Sequence, residues 1–113
     1  KQNGQLVHPR CFGTAPRFLQ LALRRDSAGL ENAIKKLSFQ PAQKLGLKRR
    51  GSIKVGNFAD LVLFDPKNFR DYSTYENPYQ YSRGLDYVFV NGRPAVENGQ
   101  LTQAMPGRVL RKE

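Results

Sequence analysis

The sequence predicts an incomplete α+β chain in which helices precede strands. Apolar residues recur with helical spacing between positions 30 and 37, and the pattern changes to one typical of strands after Gly51. Asn91-Gly92 lies between two apolar runs and predicts a hairpin with a type I′ turn. Because helices and strands are segregated, neither a complete βαβ sheet nor a complete sandwich is predicted. Three or four strands would leave unpaired edges that an intact protein covers.

The first half of the chain is predicted to be a loop followed by short helices. Residues 1–17 have no helical or strand period and contain two prolines and two glycines, so they are interpreted as a loop. A first helical segment is expected from Phe18, and a second helix covers residues 30–37. Proline suits the first position of a third helix, Pro41–Leu45, and Gly46 suits its left-handed end.

The second half is predicted to form the sheet. Residues 53–55 alternate between apolar and charged side chains, as in a strand. The continuous apolar run at 61–64 favours a strand covered on both faces. Residues 68–84 form a polar, tyrosine-rich loop that is expected to pack over the sheet, with base stacking as the alternative. The hairpin follows at 87–96, and residues 107–111 are either a last strand or a tail.

The composition restricts the class of protein. Hydrophobic residues make up 39% of the 113 residues, which predicts a thin core. No apolar run is long enough to span a membrane, and no membrane partner is expected. The single cysteine, Cys11, excludes an internal disulfide framework and fits a reducing compartment, so we expect a cytoplasmic protein. The chain begins with Lys1 rather than methionine, so we expect that a preceding part has been lost.

The net charge of +10 allows a second class of function, a basic binding module for acidic partners or nucleic acid. The run KLGLKRRGSIK, at residues 44–54, is the candidate phosphate contact. Few aromatic residues flank this run, no helix-turn-helix or RNA-recognition signature surrounds it, and its two glycines mark a turn. Nucleic-acid binding is therefore the weaker alternative.

Residues for metal binding or catalysis are few. A hydrolytic metal site needs three or four converging His, Cys, Asp or Glu side chains. The motif HPRC offers only His8 and Cys11, which we interpret as loop and core residues. The glycines have turn spacing and form no phosphate-binding loop. We therefore assign no catalytic and no metal-ligating residue to this chain.

Several stretches carry a family resemblance. The run LENAIKKLSFQPAQKLGLKRRGSIKVGNFADLVLFDP, followed by YVFVNGRPAVENGQLTQAMPGRVLR, resembles the C-terminal end of amidohydrolase-superfamily enzymes. More narrowly, HPRCFGTAPRFL, STYENP and PGRVLR are similar to the N-acyl-D-amino-acid deacylase (D-aminoacylase) branch. The resemblance extends from about His8 to Arg111. The tail of a different amidohydrolase, dihydroorotase-like or hydantoinase-like, remains an alternative.

The resemblance implies a composite fold, a metal-dependent TIM barrel with a small β domain built from both ends of the chain. Residues 1–50 would be the C-terminal end of the barrel, with an active-site loop at 4–17 and helices at 18–47. Residues 51–113 would be the C-terminal part of the small β-sandwich or β-barrel domain. The implied partners are the remainder of the enzyme chain and, through open sheet edges, further copies.

The implied chemistry is zinc-assisted hydrolysis of N-acyl-D-amino acids, which cleaves a carbon–nitrogen bond other than a peptide bond. In the family, the metal ligands and a catalytic aspartate within Ser-Asp-Gly precede the HPR motif. Asn3-Gly4 does not supply that aspartate. We therefore expect zinc in the full-length enzyme, none bound by this fragment, and no activity from the fragment alone.

The resemblance also implies a substrate-binding role for the motif HPR-x-x-G-T-x-P-R. We expect Arg10 to bind the substrate carboxylate, because its fork of N–H donors matches a carboxylate bidentately and lysine does not. His8 is a supporting substrate-binding candidate. The alternative for Arg10 is an ion pair that stabilises the loop. The sequence departs from the family at Ala15, where phenylalanine is common.

Overall fold

A computed structural model of the chain describes residues 7–111, so residues 1–6 of the predicted loop and residues 112–113 lie outside the described part. Its elements are α1 (Arg10–Ala22), α2 (Ser27–Ile34), a π-helical segment (Lys35–Phe39), α3 (Gln40–Leu45), β1 (Leu61–Phe64), β2 (Leu85–Val90), β3 (Arg93–Glu97) and β4 (Gln100–Leu101). The predicted α+β order, with helices before strands, is confirmed. Among the helices of the described residues, none is long and apolar enough to cross a membrane.

Helix α1 begins at Arg10, so the loop predicted up to residue 17 is wrong beyond Pro9. Pro9 has φ −55°, which prepares the chain for a helix, and its carbonyl accepts the N–H of Gly13 at 2.8 Å. Pro16 lies inside the helix, where it removes one backbone donor. Proline and glycine suggested a loop because local propensity was the only signal. Packing against a distant segment outweighs that propensity.

Helices α2 and α3 form one continuous helical run instead of the two separate helices predicted. Pro41 has no N–H and its ring would clash with the carbonyl of Leu37 in regular α geometry. The wider π-helical turn of Lys35–Phe39 lies directly before this point and accommodates the proline. The predicted left-handed end is confirmed, because Gly46 has φ 73° and the N–H of Leu47 bonds to the carbonyl of Ala42 at 2.9 Å.

The sheet is an antiparallel meander in the order β1-β2-β3-β4. The type I′ turn predicted between β2 and β3 is confirmed by the positive φ values of Asn91 (51°) and Gly92 (78°). Asn98 and Gly99 repeat this geometry between β3 and β4, with φ values of 50° and 74°. Residues 107–111 form no strand, so of the two predictions for this segment, a last strand or a tail, the tail is the one that fits.

The prediction that β1 is covered on both faces is wrong within the described residues, because successive side chains point to opposite faces and both faces of β1 are exposed. Strand β1 pairs with β2 on one side only, and the side chains of Val62 and Leu63 are each 56% exposed. Residues 53–55 form no strand either, and Ile53 and Val55 are 90% and 100% exposed. Within residues 7–111, no further strand lies beside these segments to accept their hydrogen bonds.

The core of the described residues is thin, as the composition predicted. Its buried apolar side chains are few and mostly small: Ala22, Ala33, Ala42, Phe69 and Pro78. Many larger apolar side chains stay at the surface. Exposed apolar area of this extent is typical of a surface that another part of a protein covers.

Arg50 connects the helices to the sheet. Its guanidinium is 8% exposed, pairs with the Asp60 carboxylate and donates to the side-chain oxygen of Asn91. Three guanidinium carbons lie 4.3–4.7 Å from the centre of the Phe58 ring, and they belong to Arg49, Arg50 and Arg108. Two of the five basic residues in the run at 44–54, Arg49 and Arg50, therefore have internal partners, which weakens the case for a nucleic-acid surface there.

We expect Asp60 to make folding sensitive to acid. Partial burial raises the pKa of Asp60, but the Asn91 N–H and the Arg50 guanidinium, with Arg108 nearby, outweigh burial and hold it below its ordinary value. The stabilisation is therefore complete above the pKa of the unfolded chain, about 3.9, and is lost as pH falls through the lower folded-state pKa.

The test is urea unfolding of Asp60→Asn and the native chain across this pH range. The substitution should lower the midpoint at neutral pH, and its effect should shrink as the pH falls through the lowered folded-state pKa of Asp60. Asp86→Asn is the control, because Asp86 is exposed and its carboxylate has no partner among residues 7–111. A midpoint difference that stays constant down to acid pH would contradict the assignment.

Candidate functional site

A groove of about 470 Å³ lies between α1 and the segment at residues 71–76. Its walls include Arg10, Thr14, Phe18 and Leu21 on the helical side and Tyr75 and Glu76 on the other. The two residues that the sequence predicted for substrate binding, His8 and Arg10, both line this groove. A cavity of this size is in the range that small-molecule ligands use.

Arg10 presents an unpaired cation to the groove. Its side chain is exposed, and its guanidinium has no ion pair or hydrogen bond among the described residues. The neighbouring Arg17 instead pairs with the Asp71 carboxylate, with 2.9 Å between Nε and Oδ2. The ion pair that was the alternative role for Arg10 is therefore made by Arg17, and Arg10 remains available for an anion.

His8 has its ring orientation and tautomer set by two contacts. The backbone N–H of Arg10 donates to His8 Nδ1 at 3.1 Å, so Nδ1 is unprotonated. The ring N–H then lies on Nε2, which is 3.3 Å from the hydroxyl oxygen of Tyr75. The two rings also meet edge to face, with centroids 5.1 Å apart. Both ring nitrogens are thus engaged, and His8 supports the backbone at Arg10.

Asp71, Ser73 and Tyr75 are functional candidates that sequence reasoning missed. They lie in the segment interpreted only as a tyrosine-rich loop, yet Asp71 and Ser73 are both buried under the first turns of α1. The available signal was the isolated acid Asp71, since residues 66–75 contain no other. Its partner Arg17 was visible in the HPR motif but had no assigned role.

Two of the four tyrosines of this loop pack against α1, so the prediction that the loop packs over the sheet is wrong for them. Tyr79 and Tyr81 meet the ring of Phe12 edge to face, with centroids 5.7 and 5.9 Å apart. Tyr72 instead lies under the guanidinium of Arg83, 4.9 Å from its ring centre. The aromatic contacts of Phe12 and His8 therefore fix one side of α1 against the loop.

The described residues do not fit a zinc site. Residues 7–111 contain no group of three or more His, Cys, Asp or Glu side chains placed to hold a metal ion. Both nitrogens of His8 already have partners. Cys11 is exposed on α1, so its interpretation as a core residue is wrong. We derive no metal-dependent step from these residues.

Comparisons with known proteins give a consistent set of relatives. A family model described as the amidohydrolase family matches residues 8–96. The D-aminoacylase of Alcaligenes xylosoxydans xylosoxydans is 40% identical over 104 residues, which are 91% of this chain and 22% of that enzyme. The chain thus spans about a fifth of the length of the curated relatives it matches.

Two solved structures resemble this chain in fold as well as sequence. A crystal structure of D-aminoacylase, which defines a novel subset of amidohydrolases, matches with a TM-score of 0.82 and 40% identity. The N-acyl-D-glutamate deacylase of Bordetella bronchiseptica, complexed with zinc and a phosphonate mimic of the tetrahedral intermediate, matches with a TM-score of 0.76 and 34% identity. Each match covers 92% of this chain and 22% of the other.

Proposed function

Because the chain belongs to the amidohydrolase family, we propose that it is the C-terminal part of a zinc-dependent enzyme that hydrolyses N-acyl-D-amino acids. The relatives named D-aminoacylase and N-acyl-D-glutamate deacylase support this substrate class. Within this chain, Arg10 binds the substrate carboxylate and His8 holds the backbone that carries Arg10. The remainder of the enzyme supplies the zinc ligands and the catalytic aspartate.

The unpaired guanidinium of Arg10 is the observation that carries this proposal. An N-acyl amino acid has a free carboxylate, and a guanidinium binds a carboxylate through two parallel, charge-assisted hydrogen bonds. Arg17 is already neutralised by Asp71, so Arg10 is the cation of the groove that has no carboxylate partner among the described residues. Phe18 and Leu21 offer an apolar wall beside it for the less polar part of a substrate.

We also propose that the remainder of the enzyme covers the exposed apolar surface of this chain. Residues 1–50 would complete a barrel, and residues 51–113 would complete a small β domain. The open edge of β1 and the exposed side chains of Ile53 and Val55 support this arrangement, because an unpaired edge and exposed apolar side chains favour association.

The test is an activity assay of the complete polypeptide that contains this segment. We expect it to hydrolyse N-acetyl-D-amino acids, to leave the L-enantiomers intact, to lose activity with a chelator and to regain it with zinc. Hydrolysis of a cyclic amide or ureide instead would favour the dihydroorotase-like or hydantoinase-like alternative. Salt-sensitive binding to labelled DNA without hydrolysis would favour the basic binding module.

A further inference from the structure

We propose that Asp71 is a positioning residue for the substrate-carboxylate site. Its buried carboxylate holds the first turns of α1 in place and, through them, Arg10 and His8. The inference rests on the proposed function, because the residue being positioned is the proposed carboxylate anchor. It assigns a role to a side chain from the tyrosine-rich loop, far from the HPR motif in sequence.

Asp71 fastens its segment to α1 at two points. Its carboxylate is 2% exposed, and Oδ2 accepts a hydrogen bond from Arg17 Nε at 2.9 Å. Its backbone N–H lies 3.3 Å from the side-chain oxygen of Gln20, one turn further along the same helix face. Because Arg17 is 65% exposed and the carboxylate is enclosed, removing Asp71 would release Arg17 toward solvent and the groove.

The second carboxylate oxygen leads to the start of α1. Asp71 Oδ1 accepts the backbone N–H of Ser73 at 3.0 Å. The hydroxyl of Ser73, which is 2% exposed, lies 2.9 Å from the carbonyl of Pro9 and 2.8 Å from that of Pro78, and it shares its single hydrogen between them. Pro9 directly precedes Arg10, so this series of bonds ends at the peptide unit that carries the proposed anchor.

The fit between Asp71 and α1 depends on Gly13. A Cβ atom at this position would lie 2.8 and 2.9 Å from the two carboxylate oxygens of Asp71, closer than non-bonded atoms approach. The absence of a side chain therefore lets α1 lie directly on the carboxylate. A larger residue at position 13 would require the Asp71 carboxylate to move and would so disturb its bond to Arg17.

Asp71 also determines which cation the groove presents. Paired with Arg17, it leaves Arg10 without competition for an incoming carboxylate. In an Asp71→Asn variant the freed Arg17 guanidinium would offer a second, misplaced binding position for that carboxylate. Both effects reduce productive binding of a substrate with a free carboxylate, and neither acts on a substrate without one.

The experiment compares two substrates in the complete enzyme, an N-acetyl-D-amino acid and its methyl ester, which lacks the carboxylate charge. We expect Asp71→Asn to lower kcat/KM for the acid by about 10- to 100-fold, the range that follows from small misplacements of a binding group. The kcat/KM for the methyl ester should change little. Ser73→Ala keeps the Asp71–Arg17 pair and should show a smaller loss with the same preference. Asp86→Asn removes an exposed carboxylate on β2 and should leave kcat/KM for both substrates unchanged.

Bound zinc and circular dichroism of each variant show whether the enzyme is intact. An equal loss for acid and ester would mean that Asp71 acts only on folding, and an unchanged acid kcat/KM would remove its role altogether. If Arg10→Gln discriminates between acid and ester but neither Asp71→Asn nor Ser73→Ala does, this inference fails and the proposed function stands. If Arg10→Gln does not discriminate, the proposed anchor itself fails.

Discussion

We expect Arg10→Gln in the complete enzyme to lower kcat/KM for N-acyl-D-amino acids by about 10- to 150-fold. A hydrogen bond to a charged group contributes about 1.5–3 kcal/mol, and each 1.4 kcal/mol corresponds to about a factor of ten. Glutamine keeps a polar side chain of moderate length but loses both the charge and the fork of donors. The loss should fall mainly on KM if Arg10 binds substrate and transition state equally.

Arg10→Lys separates charge from geometry at the same position. Lysine retains the positive charge but offers a point charge on a flexible stem, so the bidentate match is lost. We expect a kcat/KM between those of the native enzyme and Arg10→Gln. A lysine variant with native kinetics would mean that charge alone suffices and that the bidentate argument is wrong.

The controls identify an effect of the carboxylate. The methyl ester of the substrate lacks the charge that Arg10 binds, so neither variant should slow its hydrolysis strongly. Arg24→Gln removes an exposed arginine beyond the end of α1 and should leave both substrates unaffected. Equal losses for acid and ester, or native kinetics in Arg10→Gln, would remove Arg10 from the site.

The parts of the fold that the sequence predicted are those determined by a few adjacent residues. Asn91-Gly92 adopts the two positive φ values of its turn because these residue types tolerate them, and Gly46 ends its helix for the same reason. The helical periodicity at 30–37 and the family resemblance carried by the quoted motifs are likewise confirmed. None of these features requires knowledge of distant contacts.

The predictions of the fold that were wrong concern features that depend on contacts between distant segments. Helix α1 begins at Arg10 and includes Gly13 and Pro16, two residues that suggested a loop. Asp71 and its neighbours hold the helix in place. The Arg17–Asp71 pair joins positions 54 residues apart, which no local pattern indicates. The prediction for β1 was wrong for a different reason. Its apolar run predicts neighbouring segments on both faces, and residues 7–111 do not contain them.

The candidate site likewise contains one residue that the sequence predicted and others that it did not. Its proposed anchor, Arg10, came from the family resemblance carried by the HPR motif, and the guanidinium suits a carboxylate in charge and geometry. Its support, Asp71 and Ser73, was not predicted, because a buried Asp or Ser has no distinctive local sequence pattern. The structure is needed to show that Arg17 is paired and Arg10 is not, and that difference selects one arginine of the motif over the other.

We expect Gly84→Ala to destabilise the fold more than Gly56→Ala does. Gly84 has φ 85°, and an added Cβ would lie 2.6 Å from Phe69 Cα and 2.7 Å from its backbone nitrogen. These are backbone atoms, so no side-chain rotation relieves the contact. The left-handed conformation costs about 1–2 kcal/mol, and the overlap adds about 1–3 kcal/mol more.

The surrounding contacts explain why the backbone cannot simply move. The carbonyl of Gly84 accepts the N–H of Asp65 at 2.9 Å, and Arg70 and Arg83 exchange two backbone hydrogen bonds beside it. Phe69 is buried and packs on Phe64, with ring centroids 5.4 Å apart. Relieving the overlap would therefore break this junction, which leads directly into the segment that carries Asp71.

Gly56→Ala is the matched control for this substitution. Gly56 has φ 88°, nearly the same as Gly84, but an added Cβ would meet nothing within 4 Å. The free energy of unfolding of Gly56→Ala should fall only by the cost of the left-handed conformation, about 1–2 kcal/mol. The measurement is the urea midpoint of both variants, followed by far-ultraviolet circular dichroism and by tyrosine fluorescence, since the chain has five tyrosines and no tryptophan.

The difference between the two variants isolates the contact with Phe69, because the φ cost cancels. In the complete enzyme, Gly84→Ala should also lower activity toward the carboxylate substrate, since the displaced junction carries Asp71, whereas Gly56→Ala should not. Equal midpoints for the two variants would mean that the segment around Phe69 yields at little cost. A segment that yields so easily could not hold Asp71 against α1, so this one comparison of stability also tests the positioning role.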